Sequence, residues 1–119
     1  MKILVTTEGE NLQAQLDVRF GRAKNFLVYS TDTMKWNIVD NQDNQDAGHG
    51  AGVSSAQKVV DLGVTAVVSG HFGPKAYEVL SAAKIMMFST SDCTVEEAID
   101  RHRNGKLPLV TTPKEPQSH

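Results

Sequence analysis

Two runs of residues constrain this chain more than anything else in it. Residues 2–7 (KILVTT) and 64–69 (VTAVVS) are short, β-branched and unbroken in their apolar part. A strand that faces water on one side alternates apolar and polar residues. An unbroken run instead marks a strand covered on both faces. A sheet built on such strands needs a layer above and a layer below, which points to a three-layer α/β sandwich.

The remaining elements fit around that sheet. Residues 26–30 (FLVYS) and 36–40 (WNIVD) read as strands, and the polar link Thr31-Asp32-Thr33-Met34-Lys35 suits a hairpin turn, so the two are antiparallel. Val53, Ala56, Val59, Val60 and Leu62 follow helical spacing, with Gly63 as C′ residue. Pro74 opens a second helix, since its missing N–H is one the first turn cannot use, and Ala76, Tyr77, Leu80 and Ala83 form its inner face. Residues 85–88 (IMMF) make a fifth strand, with Met86 and Met87 as core and lining. Thr94-Val95-Glu96-Glu97 has the spacing of a capping box for a last helix, which Asn104-Gly105 closes. Strand–helix–strand alternation in the second half requires parallel strands there, while the hairpin makes the sheet mixed. The expectation is a five-stranded mixed sheet with helices on both faces, in one domain over residues 1–105. Pro108, Pro113 and Pro116 mark residues 106–119 as an irregular, frayed tail.

Composition removes several function classes. The 119 residues carry 12 Lys and Arg against 14 Asp and Glu, a net charge of −2, so the global positive field of a dedicated nucleic-acid binder is missing. One cysteine, Cys93, forms no internal disulfide and builds no thiolate cage alone. No stretch approaches the roughly 20 apolar residues of a membrane span, and the first residues are too short a run for a signal segment, so a cytoplasmic location is expected.

Three loops stand out, following strands whose carboxyl ends are where ligands bind in open α/β sheets. They are Arg19-Phe20-Gly21-Arg22, Gly48-His49-Gly50-Ala51-Gly52 and Gly70-His71-Phe72-Gly73-Pro74. The second and third run straight into helix starts, where unsatisfied N–H groups and the helix dipole favour anions. Glycines let the backbone approach a ligand closely, and Arg19 and Arg22 add forked, charged donors. The expected site is a small anion pocket built from Arg19, Phe20, Gly21, Arg22, His49, Gly50, Gly52, Gly70, His71, Phe72 and Gly73. Each piece has a plainer reading. The glycines serve turns, the histidines are solvated, and the arginines pair with the acidic run Asp40, Asp43 and Asp46. Cys93 stands before a helix start, where a dipole lowers a thiol pKa, yet an ordinary buried thiol is the simpler reading. His102 and His119 are expected to face solvent.

No catalytic set appears. GHGAG is neither GxGxxG nor preceded by a strand, and GxxxxGK[ST] is absent. Gly52-Val53-Ser54-Ser55-Ala56 only approaches a nucleophile elbow. Binding is favoured over turnover.

The segments FGRA (20–23), GHGAG (48–52) and SGHFGP (69–74), in this order behind the opening strand, resemble the dinitrogenase iron–molybdenum cofactor biosynthesis family. That family includes nitrogenase cofactor carriers and the small orange protein of sulfate reducers. The resemblance covers roughly residues 1–105 and implies a ribonuclease H-like α/β fold. It also implies non-enzymatic binding, storage or delivery of an anionic molybdenum-containing sulfide cluster, of molybdenum–copper or iron–molybdenum cofactor type. Such a cluster brings its own sulfides, so a one-cysteine protein holds it through N–H groups, arginine and apolar contacts, with no metal-ligating side chain. A protein partner in delivery would follow; no nucleic-acid or membrane partner is expected. The alternative from the same residues is an interaction or regulatory module that holds no cluster.

Overall fold

The central strand of the sheet is buried on both sides, as its unbroken apolar sequence requires. The computed structural model describes residues 1–45 and 50–111. In it β1 (Lys2–Thr7), β2 (Asn25–Ser30), β3 (Trp36–Asp40), β4 (Ala66–Ser69) and β5 (Met86–Ser89) form one sheet in the order β3-β2-β1-β4-β5. β1 pairs antiparallel with β2 and parallel with β4; β2 pairs antiparallel with β3, and β4 parallel with β5. Alternate residues go to opposite faces. Leu4, Val28, Val67 and Met87 pack under α2 (Ala51–Leu62) and α3 (Pro74–Ala82). Ile3, Val5, Leu27 and Val68 pack under α4 (Val95–Arg103). The sheet is mixed, with helices on both faces.

The local signals act where they stand. Gly63 takes φ 71° past the end of α2 and donates its N–H to the Val60 carbonyl. Pro74 occupies the first turn of α3. Thr94 and Glu97 cap α4 reciprocally. None of the helices among the described residues is long and apolar enough to cross a membrane.

Some details depart from the sequence reading. Residues 42–45 form a single helical turn, α1 (Gln42–Gln45), and α2 starts at Ala51, so Gly52 lies inside its first turn. Ala83 caps α3 and is exposed, because the chain has turned away from the core by then. Only one of the paired methionines is core: alternation buries Met87 and leaves Met86 50% exposed. His102 is half-buried with its ring edge-on to Phe88 at 4.9 Å between centroids, not solvated. The segment after residue 105 is not frayed where it is described. Val110 donates to the Met87 carbonyl at 2.8 Å, Ser89 donates to Pro108, and the Tyr77 hydroxyl donates to Thr111 at 2.6 Å. This stretch lies along β5 because that edge offered unpaired backbone groups and Val110 an apolar side chain. Asp46, Gly48, His49, Pro113, Pro116 and His119 lie outside the described residues.

Candidate functional site

The order of strands reverses direction between β1 and β4, and the loops leaving the carboxyl ends of these two strands meet there. Arg19 forms a parallel bridge with His71, and the Phe20 N–H donates to the His71 carbonyl at 3.2 Å. The start of α2 closes the third side. The result is an open cleft of about 400 Å³ lined by Arg19–Arg22, by residues 50–52, and by His71, Gly73 and Ala76.

Buried contacts hold the first loop in place. Phe20 is 1% exposed yet reaches the cleft wall, its ring stacked between Phe26 at 5.8 Å and Phe72 at 5.3 Å. The Ser55 hydroxyl donates to the Gly21 carbonyl at 2.8 Å, and the Asn41 amide donates to the Ala23 carbonyl at 2.9 Å. Asn41 and Ser55 are themselves buried and hydrogen-bonded to each other. A Cβ on Gly21 would stand 3.0 Å from the Gly52 Cα, so only glycine lets the loop press against the first turn of α2.

Arg19 is anchored from beneath. Its Nε donates to Asp17 Oδ1 and its Nη2 to Asp17 Oδ2, both at 3.2 Å. The Arg19 backbone N–H donates to the same Oδ1 at 3.0 Å. Asp17 is 2% exposed, whereas the Arg19 side chain is 57% exposed. Hydrogen bonding to this carboxylate, with its charge, raises the arginine pKa above its already high value. The acidic run Asp40 and Asp43 is therefore not the partner of Arg19 among the described residues. Asp17 was not singled out in the sequence; the signal was local, an Asp two residues before the arginine whose backbone N–H it accepts.

Two helix N-termini face the cleft without side-chain caps. Gly50 caps α2 at φ 79°, and Gly73 caps α3 in extended backbone. At both positions a Cβ would meet nothing within 4 Å. The N–H groups of a first turn have no partner inside their own helix, so both ends aim donors and positive dipole at the same space.

The structure thus brings Arg19, Phe20, Gly21, Arg22, Gly50, Gly52, His71 and Gly73 to one cleft. Two expected members stand elsewhere. Gly70 is small because a Cβ would come within 2.6 Å of the Val18 Cβ, and Phe72 is wholly buried under the cleft. His49 lies outside the described residues. Ala51, inside the second loop, and Ala76, on the inner face of α3, also line the cleft and were not among the expected site residues. Cys93 is 2% exposed and stands apart from the lining. Burial pushes its thiol pKa up in spite of Arg101 and a bond to Thr90, so the helix dipole does not make it a thiolate. Among the described residues, no three His, Cys, Asp or Glu side chains gather to hold a metal ion. Two other open hollows, of about 490 and 440 Å³, lie beside α4. The larger has Glu96, Glu97 and Asp100 on its rim, the wrong sign for an anion.

Fold and cleft together define a three-layer α/β structure whose sheet switch point brings two helix N-termini and two arginines to one open cleft. The chain belongs to the dinitrogenase iron–molybdenum cofactor family, which it matches over residues 1–105. It is similar to the apo form of the orange protein from Desulfovibrio gigas, at 37% identity and a TM-score of 0.92, covering 96% of each chain. It is also similar to a candidate NifB protein from Thermotoga, at 31% identity and a TM-score of 0.86, covering 98% of each chain. An uncharacterized protein of Methanocaldococcus jannaschii is 28% identical over 96 residues, 78% of this chain and 80% of that one.

Proposed function

We propose that this protein is a non-enzymatic carrier that holds an anionic molybdenum-containing sulfide cluster, with or without copper, in the cleft between β1, β4 and the start of α2. The observation that supports it most is the convergence of two uncapped helix N-termini and two arginines on one cleft of a protein in this family. The cluster is cargo. Its sulfides would complete its metal coordination, so the chain needs to supply hydrogen-bond donors, charge and an apolar wall. The donor set fits that demand. Backbone N–H groups and guanidinium edges suit sulfide and oxide anions, the buried Phe20 ring backs the cleft lining, and Gly50 and Gly73 leave open the volume that side chains would fill. We take residues 1–105 as the functional domain.

The test is an NMR titration with tetrathiomolybdate and Cu(I). Amide shifts should cluster at residues 19–22, 50–52 and 70–73. Cys93→Ser should retain the bound cluster. Arg22→Ala should weaken retention by about ten- to a hundredfold, the usual consequence of losing one charge-assisted bond of roughly 1.5–3 kcal/mol. Cluster loss in Cys93→Ser with full retention in Arg22→Ala would make the cysteine a ligand and sink the proposal.

A further inference from the structure

The cleft contains an oddity for an anion site: a buried carboxylate lies directly under it. Asp17 is held rigidly. Its backbone N–H donates to Thr6, and its carbonyl accepts from the hydroxyls of Thr6 at 2.6 Å and Ser69 at 3.3 Å. These contacts fasten it to the ends of β1 and β4, the two strands that define the switch point. Its carboxylate then takes three hydrogen bonds from Arg19, two of them from one edge of the guanidinium.

We propose that Asp17 is a positioning residue, which grips the Nε–Nη2 edge of Arg19 so that the Nη1 edge is presented, in fixed orientation, to an anion in the cleft. An arginine that lines a cleft at 57% exposure has many rotamers available. Ordering it on ligand arrival would cost binding free energy, and a fork held in advance removes that cost. A buried carboxylate is tolerated here because its partner is charged and doubly bonded to it. The raised Arg19 pKa agrees with the same geometry.

The inference rests on the reading of the cleft as an anion site, and it makes a prediction of opposite sign to plain electrostatics. Removing a negative charge beside an anion strengthens binding if charge alone matters. If Asp17 acts by positioning, Asp17→Asn weakens it. The probe is tetrathiomolybdate, titrated into isotope-labelled full-length chain, with folding checked by circular dichroism. Wild type should shift at the cleft amides, and Asp17→Asn should bind about tenfold more weakly. Arg19→Lys should fall as far, because an ammonium keeps the charge and the ion pair but has no fork. Without any ligand, the Arg19 Nε–H resonance should be protected from solvent exchange in wild type and lose that protection in Asp17→Asn. A merely structural tie would change stability without the loss of affinity in Arg19→Lys. Should Asp17→Asn fail to fold, Arg19→Lys decides alone: wild-type affinity in it overturns the proposal. Wild-type binding at the cleft with unchanged or tighter binding in folded Asp17→Asn overturns positioning only. No cleft shifts in wild type overturn the anion site and this inference together.

Discussion

The helices on the two faces of the sheet begin in opposite ways. On one face, Thr94 and Glu97 cap the N-terminus of α4 reciprocally, and the N–H groups of Val95 and Glu96 donate to the carbonyls of Ala14 and Leu12. On the other, α2 and α3 begin at glycines that offer no side chain, and both point at one cleft. The same chain therefore uses a full cap where a helix end has only to be stable, and none where two ends converge. Under the proposed reading, first-turn donors that no side chain caps are the ones available to an anion in the cleft.

Removing the support beneath the cleft breaks this contrast most severely. Phe72→Ala should cost about 3–5 kcal/mol in urea unfolding, since the ring is fully buried against Phe20, and the cleft loops should lose hydrogen-exchange protection first. A sharper test converts the open helix into the closed kind. Gly73 has φ −71° and ψ 167° with room for a Cβ, so Gly73→Asp should cap α3 and stabilise the fold by about 0.5–1 kcal/mol. The same change should weaken tetrathiomolybdate binding about tenfold or more, because it consumes donors and adds negative charge. Stabilisation with unchanged binding would mean that the α3 terminus plays no part in the site. The reverse experiment, Thr94→Ala, should cost about 1 kcal/mol and leave probe binding unaltered.

The smallest effect is a pH dependence on the α4 face. Burial lowers the His102 pKa, so the unfolded chain takes up a proton that the folded chain resists. Its contribution is complete above the ordinary histidine pKa of 6.5 and is lost as pH falls through the lower folded value. His102→Gln should flatten the urea midpoint against pH in that window. Glu97 acts at lower pH. Its bond from the Thr94 N–H lowers its pKa from 4.5, so the cap weakens as pH falls through the folded value.

The parts legible in the sequence were those whose cause is local. The unbroken runs of β1 and β4, the polar link of the β2–β3 hairpin, Pro74 and the Thr94–Glu97 spacing each state their structure within a few residues. Six of the cleft positions beyond the arginines were also expected: Gly50, Gly52, His71 and Gly73 from their place beside helix starts, Phe20 and Gly21 from their place between the arginines. Causes that act across the fold were not legible. Nothing in the sequence near Asn41 or Ser55 signals burial, yet they are buried where the carbonyls of Ala23 and Gly21 need donors. Gly70 read as a ligand contact, but its lack of a Cβ makes room for Val18, 52 positions earlier. Phe72 looked like pocket lining, whereas three aromatic rings stacking into the core decide its direction.

The strip of chain beside β5 has a consequence for association. Open sheets can grow by adding strands from neighbouring molecules, and here one border is already covered by residues 108–110. Among the described residues no segment pairs with the outer side of β3. Strand addition at the β5 border would have to displace residues 108–110 and the bonds they make to Met87 and Ser89.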